Sequence, residues 1–291
     1  MTALVGIHGI SNQQAGRNQL LSSWRPALQD GIERASGHGV GEPPLDIAFY
    51  GDVFLSPKTT STNSLKAGGA DPWSDINEEE ARFLTEAARE LLTEQEISDA
   101  EQTSSKGHLQ APLWLQALLR ALDKHSGAGS AALWFFDLRQ VRRYLTQQDL
   151  KETVDQAVER ELSGDCRVLI GHSLGSVVAF EYVRTHPEHH LDLLLTLGSP
   201  LALKAVRRLM PDPDHGAAAG LPKNVAAWEN IRDQRDPVTC AGDLRPWWPG
   251  ITEAPPVNNG GNAHSVERYL SKRETGAALL QVLPDLGRRQ P

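Results

Sequence analysis

The chain has 291 residues, of which 40% are hydrophobic and 23% are charged, and its formal net charge is −8. This length and composition predict a globular protein with a sizeable core, folded as a single domain over residues 1–291. The acidic balance argues against nucleic-acid binding, which requires Lys and Arg to neutralise phosphates. Two cysteines are too few for a disulfide framework, although one bridge between Cys166 and Cys240 stays open.

The N-terminus carries neither a basic segment nor a long apolar one, and no apolar run approaches the roughly 20 residues that span a bilayer. We therefore expect a cytoplasmic protein without a transmembrane segment. Residues 3–7 form a short apolar run that predicts a buried strand. The polar loop at residues 8–12 (H-G-I-S-N) follows directly, as expected at the carboxyl edge of a parallel sheet, where open α/β folds place their sites.

A helix and a second strand are predicted next. Four apolar residues recur at the spacing of one helix face: Leu20, Trp24, Leu28 and Ile32. Pro26 lies within this pattern and favours a late helix start or a kink. Residues 45–50 predict the second strand.

Residues 55–130 interrupt the alternation of strands and helices. Ser, Thr, Gly and Pro dominate residues 56–71, and an acidic amphipathic helix at 75–96 and an apolar helix at 112–122 follow. A stretch of this length is too long for a simple loop. It predicts a helical insertion over the sheet edge, acting either as extra cover for the core or as a mobile lid.

The central part of the chain contains the most specific motif. An apolar run at 131–136, a segment of mixed helical character at 137–144 and a helix at 149–162 precede it. Residues 166–180 then indicate a strand, a sharp turn and a helix, and the turn at 171–175 has the sequence G-H-S-L-G. This G-x-S-x-G pattern is typical of a nucleophilic serine, here Ser173, on a strained turn at the top of a sheet. The alternative is a glycine-rich turn whose serine caps the next helix.

Two further strands are predicted at 191–197 and 225–231, and a terminal helix at 274–283. The aliphatic run at 191–197 is typical of a buried parallel strand. Strands alternate with helices along most of the chain. The sequence therefore predicts an α/β protein with a doubly wound, mostly parallel sheet and helices on both faces.

A serine hydroxyl needs a base to accept its proton and a third group to hold that base. In this topology the partners come from later strand ends, first an acid and then a histidine. Asp233 and Asp236 follow the last predicted strand, and His264 is the one histidine after them. We favour Asp236 as the acid because it precedes Pro237, which keeps the backbone extended. Asp233 is the alternative, although an aspartate there also suits a structural turn.

Together these segments resemble the α/β-hydrolase superfamily, in particular its serine esterases and lipases. The resemblance lies in His8-Gly9, residues 171–175, residues 196–200 (T-L-G-S-P), residues 233–238 (D-Q-R-D-P-V) and residues 263–265 (A-H-S). It implies an α/β-hydrolase fold with a Ser173–His264–Asp236 triad. Two departures are that the family's first two strands are missing and that the insertion comes early in the chain.

The resemblance to the α/β-hydrolases also implies how a substrate is bound. The backbone N–H groups of Leu174 and Ile10 are expected to form the oxyanion hole, with Gly9 permitting the turn and His8 supporting it. Trp247 and Trp248 lie in an irregular loop before His264 and are candidates for lining an acyl pocket.

The expected function is the hydrolysis of carboxylic esters of small molecules with an apolar acyl group. Thioester hydrolysis and acyl transfer use the same triad, and a non-catalytic binding protein with this fold is a further alternative. We expect no cofactor, because the sequence has neither a phosphate-binding loop nor a dinucleotide-binding pattern. We also expect no metal, since the cluster of His186, His189 and His190 lacks partners with ligand spacing.

Overall fold

A computed structural model describes residues 3–9, 15–54, 76–96, 98, 123, 130–162, 164–210 and 220–289. Ile10 and most of the predicted insertion at 55–130, including its apolar helix at 112–122, lie outside the described residues.

Six strands form one sheet within the described ranges. They are β1 (Leu4–Ile7), β2 (Leu45–Ala48), β3 (Val168–His172), β4 (Leu193–Leu197), β5 (Trp228–Ile231) and β6 (Thr252–Glu253). Their order is β2-β1-β3-β4-β5-β6, and every neighbouring pair is parallel. Because each connection between parallel strands must cross over the sheet, the chain alternates strands with helices. The prediction of an α/β protein built on a parallel sheet is confirmed.

The helices of the described ranges are bounded as follows. They are α1 (Arg17–Ser36), α2 (Glu78–Arg89), α3 (Ser130–Thr146), α4 (Gln148–Glu161), α5 (Leu174–Thr185), α6 (Lys204–Arg208), α7 (Val266–Leu270) and α8 (Arg273–Val282). Short 3₁₀ turns lie at Gly51–Phe54, Pro200–Ala202, Pro237–Thr239 and Pro284–Gly287. None of these helices has the length and apolar character that a membrane crossing requires.

Successive residues of each strand point to opposite faces of the sheet and enter two separate cores. Leu4 and Ile170 face a core that also contains buried residues of α1, α7 and α8. Val5 and Leu169 face the other core, to which α2, α3, α4 and α5 contribute. Helices therefore cover both faces, and the strands are buried on both sides, which explains their nearly continuous aliphatic sequences.

Several details differ from the sequence-based expectations. Pro26 lies in the middle of α1, which starts at Arg17 and is neither late nor interrupted. The apolar run at 131–136 and the mixed segment after it form the single helix α3. Strand β6 has two residues and carries no pattern of its own. Cys166 and Cys240 are both free, so the bridge that the sequence left open does not form.

The carboxyl ends of the strands gather the candidate residues at one edge of the sheet. His8 and Gly9 follow β1, Ser173 follows β3, and Asp236 follows β5 a few residues later. Helix α3 approaches the same edge, where it packs against α5 and against the turn at Pro237–Thr239. The fold thus brings distant parts of the sequence to one place.

Candidate active site

Ser173 lies at the crossing between β3 and α5 in a strained backbone conformation. Its φ of 56° and ψ of −126° make it the one non-glycine residue with a positive φ among the described residues. Its N–H donates to the Leu197 carbonyl at 3.0 Å, which ties the turn to the neighbouring strand. A side chain at Gly175 would place its Cβ 2.0 Å from the Ile7 carbonyl oxygen, and one at Gly171 would lie 2.6 Å from the Gly175 oxygen. Glycine is therefore required on both sides of the serine.

Ser173, His264 and Asp236 form a continuous chain of hydrogen bonds. His264 Nε2 lies 2.9 Å from Ser173 Oγ, and His264 Nδ1 lies 2.9 and 2.8 Å from the two carboxylate oxygens of Asp236. The three residues are 0%, 8% and 1% exposed, so water screens their interaction weakly. The sequence-based choice of these three residues thus coincides with one buried cluster.

Asp236 is surrounded by donors that fix its orientation. It begins the turn at Pro237–Thr239, where Oδ1 accepts the Val238 N–H at 2.9 Å. The hydroxyl of Tyr269 donates to Oδ2 at 2.7 Å. Tyr269 lies on α7. The sequence does not indicate it as a site residue, because a tyrosine in a helix is usually a packing residue.

Asp233 has a different place in the same loop. Its Oδ1 accepts the Arg235 N–H at 2.9 Å, and its Oδ2 accepts the N–H of Asn259. Its own N–H donates to the Tyr269 hydroxyl at 2.9 Å. These bonds fix the backbone of the loops before His264. The carboxylate that contacts the His264 ring is therefore that of Asp236, not that of Asp233.

The charge on His264 depends on the carboxylates around it. Burial is the largest influence and favours the neutral ring, but the charge and hydrogen bond of Asp236 and the charge of Asp137 outweigh it. The pKa of His264 is therefore raised above its ordinary value of 6.5. The imidazolium that forms when His264 accepts a proton is stabilised by its surroundings.

His172 supports His264 from below the turn. Burial, reinforced by the neighbouring His264, holds the pKa of His172 well below its ordinary value, so the ring is neutral. Its Nε2 lies 3.0 Å from the His264 carbonyl oxygen, to which it donates, and the two rings pack with centroids 4.6 Å apart. The residue before the serine thus fixes the backbone of the histidine loop.

His8 and Gly9 lie beside Ser173, as the resemblance implies. A Cβ on Gly9 would be 2.7 Å from the Cβ of Ser173, so a glycine lets the first loop approach the serine. Burial lowers the pKa of His8 to about 4. The neutral ring donates through Nδ1 to the Gly9 carbonyl at 2.8 Å and accepts the Tyr50 N–H at Nε2 at 3.2 Å. His8 therefore holds the loop, and Ile10, the expected oxyanion donor, lies outside the described residues.

Asp137, from α3, is a further carboxylate that the sequence did not indicate. Its side chain is completely buried, and its Oδ1 accepts the Ser173 hydroxyl proton at 2.5 Å. The nearby backbone N–H of Leu174 favours the charged form of this carboxyl group and so lowers its pKa slightly. Burial is the main reason that the pKa of Asp137 is raised to about 6, from an ordinary value of 3.8.

Trp247 and Trp248 have different environments. Trp248 is fully buried and packs against Phe180 and Trp228, with ring centroids 4.7 and 5.7 Å away. Trp247 is 39% exposed, and the guanidinium of Arg207 lies over its ring. Packing accounts for Trp248, so an acyl-binding role for this pair stays a prediction.

Two further observations bear on the nature of the site. Within the described residues, no group of three His, Cys, Asp or Glu side chains is arranged to hold a metal ion. The chain matches no family model, no curated protein and no solved structure. The interpretation of the site therefore depends on its geometry and on the motifs in the sequence.

Proposed function

We propose that the chain is a serine hydrolase of the α/β-hydrolase type that cleaves carboxylic esters of small molecules. The observation that supports this most strongly is the buried Ser173–His264–Asp236 chain on a strained turn at the carboxyl edge of the sheet. A structural serine has no need of a histidine and an ordered carboxylate behind it. The arrangement matches what a weak nucleophile requires in order to react at neutral pH.

In the proposed reaction, Ser173 Oγ attacks the acyl carbonyl carbon while its proton passes to His264 Nε2. The tetrahedral intermediate collapses when the bond to the alcohol oxygen breaks, and His264 returns the proton to that oxygen. Water then attacks the acyl-enzyme, with His264 again accepting a proton and returning it to Ser173 Oγ. Asp236 keeps Nδ1 protonated and stabilises the imidazolium.

The oxyanion of each intermediate needs preorganised donors. The N–H of Leu174 is at the N-terminus of α5 directly after the serine, where the helix dipole adds to its effect. We propose the N–H of Ile10 as the second donor, because the loop that carries it follows Gly9. Donors of this kind contribute roughly 3 kcal/mol each to transition-state stabilisation.

The same acyl-enzyme serves thioester hydrolysis and acyl transfer, so both are included in the proposed chemistry. An apolar acyl group is the proposed substrate feature, based on the apolar sequence at 112–122 in the insertion. No cofactor takes part in this scheme, since the three side chains supply the nucleophile, the base and the acid.

Hydrolysis of p-nitrophenyl acetate, butyrate and decanoate by the whole chain tests the proposal. We expect turnover that Ser173→Ala and His264→Ala abolish, whereas Ser22→Ala, an exposed serine on α1, leaves it unchanged. Turnover that survives Ser173→Ala, or no turnover of any ester by the folded protein, would reject the proposal and favour a binding function. Equal kcat/KM for the acetate and decanoate esters would reject only the proposed apolar acyl group and would leave the hydrolase proposal in place.

A further inference from the structure

Asp137 occupies the place that the proposed reaction needs for the substrate. Its carboxyl group accepts the hydrogen bond of Ser173 Oγ, which is the atom that attacks, and it lies near Leu174, whose N–H favours its charged form. Its second oxygen, Oδ2, is buried and has no hydrogen-bond partner among the described residues. A carboxylate at this point has the charge of the tetrahedral intermediate and the shape of the carboxylic acid product.

The donor and acceptor roles in the cluster disfavour attack by Ser173 in this arrangement. Ser173 has one hydroxyl proton, and it points to Asp137 Oδ1. The contact of 2.9 Å between Ser173 Oγ and His264 Nε2 then requires the histidine to donate. A histidine that already carries this proton cannot accept another from the serine. The charge of Asp137 favours this state, because it contributes to raising the pKa of His264.

Helix α3 holds Asp137 in this position through its own packing. Trp134, Leu138 and Val141 are completely buried in the core on that face of the sheet. Arg139, two residues after Asp137, forms an ion pair with Glu80 of α2 at 2.6 Å. The carboxylate is thus brought to Ser173 by a helix that borders the predicted insertion rather than by the loops of the sheet.

We infer that Asp137 is an internal competitor of the substrate, which occupies the space beside Ser173 Oγ in the resting protein and is displaced when an ester binds. This inference rests on the proposed hydrolase function. It extends to the product: a carboxylate product and Asp137 repel each other at the same site, so the return of Asp137 helps to release the product.

The rate at which a fluorophosphonate probe labels Ser173 tests the inference. We compare wild type with Asp137→Ala, which removes the competing group, and with Asp137→Asn, which keeps its shape but not its charge. Asp149→Asn is the control, because Asp149 is an exposed aspartate on α4. Melting temperatures show whether each variant is folded at the labelling temperature.

We expect Asp137→Ala to be labelled about tenfold faster than wild type, the effect of losing one hydrogen bond to a charged group. Asp137→Asn should be intermediate, and Asp149→Asn should equal wild type. Folded Asp137 variants that are both labelled at the wild-type rate or more slowly would overturn the inference. Faster labelling of Asp137→Asn together with slower labelling of Asp137→Ala would also overturn it. In that case the group at position 137 would assist the reaction as a hydrogen-bond donor.

Sodium butyrate provides a second readout. The empty position in Asp137→Ala should accept an external carboxylate, so butyrate should slow labelling of this variant more than that of wild type. An equal effect on both proteins would contradict the inference. The two proposals fail differently: no Ser173-dependent label in any variant rejects the hydrolase function, whereas equal labelling of all variants at Ser173 rejects only the role of Asp137.

Discussion

The loop after β5 and helix α3 each bring one buried aspartate to the same serine–histidine pair, and the two aspartates have opposite environments. Asp236 faces His264 Nδ1, the Val238 N–H and the Tyr269 hydroxyl, so both of its oxygens have donors. Asp137 accepts a hydrogen bond from the Ser173 hydroxyl at Oδ1, and its Oδ2 has no partner among the described residues. Both carboxylates are buried to the same degree, so the difference between them lies in the donors that surround each one.

The origin of the two groups in the fold also differs. Asp236 follows β5 and lies at the edge of the sheet, whereas Asp137 lies on α3, a helix that packs over one face of the sheet. In the proposed account, Asp236 supports the reaction and Asp137 competes with the substrate. Substitution of Asp236 should therefore lower the reactivity of Ser173, and substitution of Asp137 should raise it. The expected effects can be ranked by size.

The largest effect is expected from Asp236→Asn. The amide cannot hold the Nδ1–H tautomer of His264, so kcat for a p-nitrophenyl ester should fall by about 10⁴-fold. Asp233→Asn is the matched control in the same loop, and it should lower kcat far less because Asp233 bonds to backbone N–H groups. Near-normal kcat for Asp236→Asn together with an inactive Asp233→Asn would move the role of the acid to Asp233.

The next effect concerns stability and its pH dependence. Below pH 3.8, Asp137 is protonated in both the folded and the unfolded chain and carries no penalty. As the pH rises to about 6, the unfolded chain ionises first and the folded state loses relative stability. The loss is complete above about pH 6 and amounts to about 3 kcal/mol.

Asp137→Asn has no such group, so its free energy of unfolding relative to wild type should rise by about 2 kcal/mol between pH 4 and pH 7. Urea denaturation at the two pH values measures this difference. Titrating groups other than His264, whose pKa Asp137 helps to raise, are common to both proteins and cancel in the comparison. A difference between variant and wild type that does not change with pH would show that Asp137 is not held as a buried charge.

The smallest effect is expected from Tyr269→Phe, which removes one hydrogen bond from Asp236. We expect kcat/KM to fall about tenfold, consistent with the loss of a hydrogen bond to a charged group. Without this donor, the negative charge of Asp236 interacts more strongly with the His264 imidazolium and raises the pKa of His264 further, so the midpoint of the pH profile of kcat/KM should move to higher pH. Tyr144→Phe is the matched control, because Tyr144 donates to Asp155 at 2.8 Å and not to the triad. Equal effects of both substitutions would mean that Tyr269 has only a packing role.

How much of this could be predicted from the sequence depends on how local each feature is. The turn at Ser173 could be predicted because the glycines at 171 and 175 are needed within five residues of chain. His264 and Asp236 followed from their order after the strands, and the parallel sheet followed from the alternation of strands and helices. These features are encoded by neighbouring residues or by chain order.

Asp137 and Tyr269 could not be predicted, because helix packing brings them to the site. Asp137 ends an apolar run whose spacing fits a strand as well as a helix. Its hydrogen-bond partner, Ser173, is 36 residues away in sequence. Tyr269 looks like a core residue of a short helix until its hydroxyl is placed beside Asp236. Strand β6 has two residues, too few for any pattern to be recognised.

Ser173 is the proposed nucleophile, and the position of a covalent adduct identifies the nucleophile whatever the natural substrate is. The protein is treated with a fluorophosphonate, digested, and mapped by peptide mass spectrometry, for wild type and for Asp137→Ala. We expect one phosphonylated residue, Ser173, in both proteins, with faster modification in the variant. An adduct on another residue, or an unmodified Ser173 in both folded proteins, would contradict it.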